Sequence, residues 1–162
     1  ASELPVAAVL GLEKVVGGTM LSWATGRGHV AMSFEAGQHE DPAARERHVS
    51  ALWLLLVAAA AIDAERVPAL EAHRAALAVA SSGSRRIVEI RHRHVVGDDD
   101  EFEMVGKFET FETIEAGQIV ARDRRGPVRS PESGLMLMPR YQGQGDDGFF
   151  VAREVSPADR TR

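Results

Sequence analysis

A change in hydrophobic period near residue 85 constrains the fold of this chain more than any other feature. Over residues 41–80 apolar side chains recur at helical spacing, whereas over 87–96 they alternate with charged ones, as in a strand with one polar face. We therefore predict two domains, residues 1–82 and 85–155, followed by a polar, disordered tail over 156–162.

The first domain is predicted to be an α/β unit. A helix is expected from Ser2 to Leu10, a strand over 12–16, a brief helix over 20–25 capped by Thr19, and a buried strand over 29–37. Strand, helix and strand in this order form the crossover unit of a parallel sheet.

A long helix is predicted to begin at Asp41-Pro42, because aspartate caps free N–H groups and proline fits the first turn. A weaker helix follows over 68–80. One face of the long helix is expected to pack on the sheet, and the other, apolar from Leu54 on, against a neighbouring domain or subunit. The residues of the predicted sheet-facing side are Val49, Leu52, Trp53, Leu56 and Ala60.

The second domain is predicted to be all-β, small and closed, because its short strands follow one another so closely. Segments 115–120 and 127–134 are similar to the barrel-sandwich pattern of biotinyl and lipoyl carrier domains. A carrier needs a lysine at the hairpin tip between the two segments, and Lys107 lies upstream of it. We therefore expect a carrier-like fold without a modifiable lysine. Further strands are predicted over 102–104, 108–113, 118–122, 128–129, 135–139 and 149–153.

Composition excludes several classes of function. A net charge of −5 argues against a surface that tracks nucleic-acid phosphates. The sequence has no cysteine, which removes disulfides and thiolate chemistry. Its longest apolar run, residues 51–62, is shorter than the roughly 20 residues that cross a bilayer. We expect a cytoplasmic protein that binds neither nucleic acid nor membrane.

Glu35 is the candidate for chemistry, because it stands at the carboxyl end of the predicted strand over 29–37. Ligands of open α/β sheets bind at that edge. From position alone, a capping or salt-bridging role stays open beside a catalytic one.

Two motifs carry a resemblance to a known family: Met-Ser-Phe-Glu-Ala-Gly at 32–37 and the run 134–150. Both resemble the succinylglutamate desuccinylase and aspartoacylase family, and a weaker likeness extends over about 4–155. The resemblance implies a zinc-dependent amidohydrolase with a carboxypeptidase-like α/β domain and a β domain, cleaving the acyl amide of an N-acyl amino acid. It also implies that Glu35 is the catalytic glutamate, which takes a proton from water and gives it to the leaving amine.

The zinc ligands of that family lie far upstream of its catalytic glutamate, in a His-x-x-Glu-type motif and at a later histidine. Here 34 residues precede Glu35, and none of them forms such a motif. We therefore expect the chain to be the carboxyl-terminal part of a longer enzyme whose zinc ligands lie outside it. Alone, it is expected to bind zinc poorly and to hydrolyse nothing.

Four residues are candidates for substrate binding. By resemblance Arg27 lies where the family holds an arginine for the substrate carboxylate, although an exposed helix-end arginine is the alternative. Gln38 and His39 follow Glu35 and either touch substrate or stabilise their loop. Tyr141 lies in the later motif, and family enzymes use a tyrosine near their end, but the matching position here is Phe149.

His92 and His94 share one face of the predicted strand over 87–96. Such a pair can hold zinc when a third ligand converges. The sequence offers none nearby, so we expect polar residues that face the barrel and no metal site in the chain.

A non-enzymatic interpretation stays open. In it, the β domain and the long helix make subunit contacts in a binding or assembly module. We expect a homo-oligomer in either case, and a small-molecule N-acyl amino acid as the substrate of the hydrolase.

Overall fold

The computed structural model describes residues 4–37, 41–81, 85–141 and 145–156. They form two compact units: unit 1 holds the residues up to Ala8 and from Val16 to Arg86, and unit 2 holds Val9–Val15 and the residues from Ile87 on. The predicted domain bounds stay a prediction. Within the predicted tail, residues 157–162 lie outside the described ranges.

The start of the chain differs from the prediction. Strand β1 spans Ala8–Leu10 and the single-turn helix α1 spans Leu12–Val15, so the predicted order of helix and strand is wrong. The physical reason is that this segment pairs with residues far away in the sequence, since the Ala8 N–H donates to the Arg86 carbonyl oxygen at 3.0 Å. Such long-range bonds override the weak helical preference of a short segment.

Helix α2 spans Met20–Thr25, as predicted, and Thr19 caps it. The Thr19 Oγ1 accepts the Ser22 N–H at 3.1 Å, and the Ser22 Oγ accepts the Thr19 N–H at 3.2 Å. This reciprocal pair of bonds is a capping box, which fixes a helix start from four residues of sequence.

The predicted strand over 29–37 is wrong: described residues 11–37 hold two short helices and no strand. A strand needs a neighbour for its N–H and C=O groups. The predicted partner over 12–16 is helical in the structure, and Val30 is fully exposed. The parallel strand–helix units are therefore absent from this segment, although the coarser prediction of a mixed α and β protein is confirmed.

Unit 1 contains α3 (Ala44–Ala58), a 3₁₀ turn (Ala64–Arg66) and α4 (Leu70–Ala80), which confirms both predicted helices. The sheet-facing side predicted for α3 is wrong, since Val49 and Leu52 are 45% and 58% exposed. Helix α3 packs on α4 instead, so a different stripe of its surface is buried. The core of unit 1 consists of Leu4, Ala51, Leu54 and Leu77, with Val6, Phe34, Leu55 and Leu70 packed against it.

Unit 2 is built on two sheets, one with strand order β1-β2-β8-β7-β4 and one with order β3-β5-β6. The pairs β2–β8, β7–β8, β4–β7, β3–β5 and β5–β6 are all antiparallel. The strands are β2 (Ile87–Val95), β3 (Glu103–Met104), β4 (Thr113–Ile114), β5 (Ile119–Asp123), β6 (Gly126–Arg129), β7 (Gly134–Leu137) and β8 (Asp147–Glu154).

A closed β domain was the wrong expectation, because these described strands form two open sheets rather than a barrel. Strand β8 is the centre of the larger sheet, with β2 on one side and β7 on the other. Five consecutive residues of β8, from Gly148 to Ala152, are buried. A run of this kind is typical of a strand that is covered on both faces.

No helix in the described ranges combines the length and the apolar character that crossing a membrane requires.

Candidate functional site

Glu35 lies in an irregular segment between α2 and α3, with its side chain exposed. The Ser33 Oγ donates a hydrogen bond to the Glu35 Oε1 at 3.3 Å. The prediction that Glu35 stands at the end of a strand is therefore wrong, because the described residues around it form no strand.

The two neighbours of Glu35 both point inward. Phe34 packs against the core of unit 1, and its ring meets the His48 ring edge-on at 5.5 Å between centroids and 83° between planes. Ala36 is 6% exposed. Phe34 and Ala36 thus anchor the main chain on both sides of Glu35, whose own side chain is exposed.

Arg47, on α3, holds the segment that carries Glu35. Its Nη1 donates to the Ala36 carbonyl oxygen at 2.9 Å and to the Asp41 Oδ2 at 2.5 Å. The Asp41 Oδ1 accepts the Ala43 N–H at 2.9 Å, close to the helix start that the sequence predicts. These bonds, first from Ala43 and then from Arg47, hold the pKa of Asp41 below its ordinary value.

The predicted substrate residues of unit 1 are only partly described. Arg27 follows α2, with its guanidinium 4.2 Å from the centre of the Trp23 ring and its Nη1 donating to the Trp23 carbonyl oxygen at 3.3 Å. This is a cation–π contact at an exposed site. Gln38 and His39 lie outside the described residues. The assignment of all three to substrate stays a prediction.

Tyr141 belongs to unit 2, where its hydroxyl contacts main-chain groups. It accepts the Phe108 N–H at 2.5 Å and donates to the Gly106 carbonyl oxygen at 3.0 Å. Tyr141 as a whole is 54% exposed. The contacts give Tyr141 the role of fixing residues 106–108, and its predicted role in substrate binding remains to be tested.

His92 and His94 contact aromatic rings rather than a third ligand. The His94 and Phe149 centroids lie 5.0 Å apart, and those of His92 and Phe149 lie 6.1 Å apart. Burial lowers the pKa of both imidazoles. Within the described ranges, no three or more His, Asp or Glu side chains come together in a way that could hold a metal ion. The described residues therefore do not fit a zinc site.

Sequence reasoning missed the contact between Arg47 and the Ala36 carbonyl, because an arginine on a charged helix face carries no signal of its partner. It also missed a contact between the two helices of unit 1, where the Ser50 Oγ and the His73 Nδ1 lie 3.0 Å apart. Ser50 is 4% exposed, so this serine–histidine pair joins α3 to α4 and does not present a nucleophile.

The chain matches no family model and no curated protein. Among solved structures, it is similar to a succinylglutamate desuccinylase from Vibrio parahaemolyticus, with 16% sequence identity and a TM-score of 0.39. The match covers 55% of this chain and 30% of that one. A similarity of this size does not bear on the function of this chain.

Proposed function

We propose that this chain belongs to an amidohydrolase that cleaves the acyl amide of an N-acyl amino acid, with Glu35 as its proton carrier. The observation that supports this most directly is the exposed carboxylate of Glu35 between two anchored residues, Phe34 and Ala36. The resemblance of the 32–37 and 134–150 motifs to the desuccinylase and aspartoacylase family supplies the reaction class.

Amide hydrolysis needs one proton to be moved twice. As the water oxygen attacks the acyl carbon, a Glu35 carboxylate oxygen takes a proton from that water. When the C–N bond breaks, the same oxygen gives the proton to the leaving nitrogen, so that a carboxylic acid and an amine are formed. The acid then passes its remaining proton to the amine, and a carboxylate and an ammonium group are released. A single positioned carboxylate performs both transfers, a contribution of about 10²–10⁴ in rate.

Zinc is the proposed cofactor, with its ligands outside this chain. The described residues do not provide a ligand set, so the proposal assigns proton transfer alone to this chain. The substrate-binding roles of Arg27, Gln38, His39 and Tyr141 form part of the same proposal.

The test uses the protein as its gene encodes it, incubated with zinc and a panel of N-succinyl and N-acetyl amino acids. Release of the free amino acid is expected, and so is its loss in Glu35→Gln. Glu65→Gln removes another exposed carboxylate of unit 1 and is expected to keep the activity. Full activity of Glu35→Gln contradicts the assignment. The 162-residue chain assayed alone is expected to release nothing.

One observation favours the alternative, a non-catalytic assembly module that forms a homo-oligomer. Val49 and Leu52, which the sequence places on a buried face of α3, are 45% and 58% exposed. An inactive, metal-free gene product would favour this module. In that case Val49→Ser/Leu52→Ser would lower the molecular mass measured by analytical ultracentrifugation.

A further inference from the structure

Arg47 joins the segment that carries Glu35 to the first turns of α3. We infer that Arg47 is a positioning residue for Glu35, held in place by Asp41. The inference rests on the proposed role of Glu35 in proton transfer. It is carried by contacts on both sides of that residue.

The first contact is at the peptide that follows Glu35. The Arg47 Nη1 donates to the Ala36 carbonyl oxygen at 2.9 Å, so it restrains the main chain one residue beyond the carboxylate. Ala36 is buried, and a buried carbonyl is almost always paired. Removing the guanidinium therefore leaves this oxygen without the partner that the structure gives it.

The second contact fixes Arg47 itself. Asp41 accepts from the Arg47 Nη1 through Oδ2 and from the Ala43 N–H through Oδ1, so one carboxylate links the arginine to the start of the helix. The two side chains are 28% and 32% exposed, which shields their ion pair in part from water. A guanidinium that is already ordered loses less freedom when it binds the Ala36 carbonyl.

The third contact lies on the other side of Glu35. His48, the residue after Arg47, meets the Phe34 ring edge-on, and Phe34 is anchored in the core of unit 1. Consecutive residues of α3 therefore hold the residues before and after Glu35. A carboxylate that moves a proton must keep its place to within a fraction of an ångström.

Gly37 fits the same arrangement. Its φ of +112° is a conformation that side chains disfavour, and a Cβ there would lie 3.2 Å from the Arg47 Nη1. A larger residue at 37 would crowd the guanidinium. The glycine of the Glu-Ala-Gly motif thus leaves room for Arg47, instead of ending a strand as the sequence predicts.

The experiment compares Arg47→Met with Arg45→Met, which removes the same charge from an exposed position two residues away on the same helix. Backbone ¹⁵N order parameters of Glu35 and Ala36 are expected to fall from about 0.85 to below about 0.6 in Arg47→Met and to stay unchanged in Arg45→Met. Arg47→Lys keeps the charge without the planar guanidinium, and it is expected to give order parameters between those of the wild type and those of Arg47→Met.

Activity separates positioning from a purely structural role. In the gene product, Arg47→Met is expected to lower kcat at least about 10-fold with little change in KM, because it misplaces a group that acts in the transition state. In a protein that already carries Glu35→Gln, adding Arg47→Met is expected to lower kcat no further. If Arg47→Met does not fold, as judged by circular dichroism, the same readouts are taken from Arg47→Lys and from Arg47→Ala with added guanidinium ion.

Unchanged order parameters in a folded Arg47→Met protein overturn the inference, and so does an equal further loss of kcat on the Glu35→Gln background. If instead Glu35→Gln keeps full activity while Arg47→Met loosens the segment, the proposed function fails and the restraint by Arg47 is still measured. The two failures are therefore distinguishable.

Discussion

His94 lies flat against Phe149, with ring centroids 5.0 Å apart and an angle of 11° between the ring planes. The β2–β8 register places the two residues directly opposite each other. Phe102 contacts the imidazole as well, at 5.4 Å between centroids. The stack places a titratable ring among apolar groups, so burial lowers the pKa of His94.

The charges around the two histidines modify this effect without reversing it. Glu132 raises the pKa of His92 against the larger effect of burial. Around His94, the neighbouring His92 and Arg125 act in the same direction as burial. The carboxylates Asp123 and Asp100 oppose it.

A lowered pKa in the folded state makes stability depend on pH in a fixed direction. Below about pH 6.5 the unfolded chain takes up protons that the folded chain does not. The free energy of unfolding therefore decreases as the pH decreases, until the folded histidines are protonated as well. We predict a lower urea midpoint at about pH 5.5 than at about pH 7.5. His94→Phe is expected to reduce this difference, and His29→Gln, at an exposed position, is expected to keep it. A pH dependence that His94→Phe leaves intact would refute the prediction.

Gly134 on β7 is predicted to accept a side chain only with a loss of stability. A Cβ there would lie 2.7 Å from the Ala152 carbonyl oxygen and 2.7 Å from the Val151 Cγ1 on β8. The carbonyl belongs to a central strand and has little room to move. Gly134→Ala is expected to lower the free energy of unfolding by about 1–3 kcal/mol. Gly106→Ala, which meets no atom within 4 Å, serves as the control and is expected to stay within about 0.5 kcal/mol of the wild type.

Tyr141→Phe is predicted to destabilise unit 2, because it removes the hydroxyl that bonds to main-chain groups of Gly106 and Phe108. The expected loss, measured by urea unfolding, is about 1–3 kcal/mol, since the part-buried Phe108 N–H loses its acceptor. A raised KM with unchanged stability would instead favour the predicted contact with substrate.

Elements with strong local signals were predictable from sequence. The Thr19–Ser22 capping pair fixes α2, the Asp41-Pro42 pair lies just before α3, and alternation over 87–96 corresponds to β2. Each of these signals lies within a few residues of the element that it specifies. Such elements therefore form as their own sequence dictates.

Features that depend on distant partners were not predictable in the same way. The segment around Glu35 has the composition of a buried strand, but it lacks the neighbouring strand that would satisfy its main-chain groups. Helix α3 is apolar on more than one side, so its buried stripe depends on where α4 lies. The bond from Arg47 to the Ala36 carbonyl joins residues eleven positions apart, and no local pattern specifies it.

The proposed function requires that the Glu35 carboxylate moves the proton in amide hydrolysis. The deciding measurement is the kcat of Glu35→Gln relative to Glu65→Gln in the gene product, on whichever N-acyl amino acid the panel identifies. We predict that kcat falls about 10²–10⁴-fold in Glu35→Gln with little change in KM, and that Glu65→Gln matches the wild type. Equal kcat values for the two variants would show that Glu35 does not move the proton.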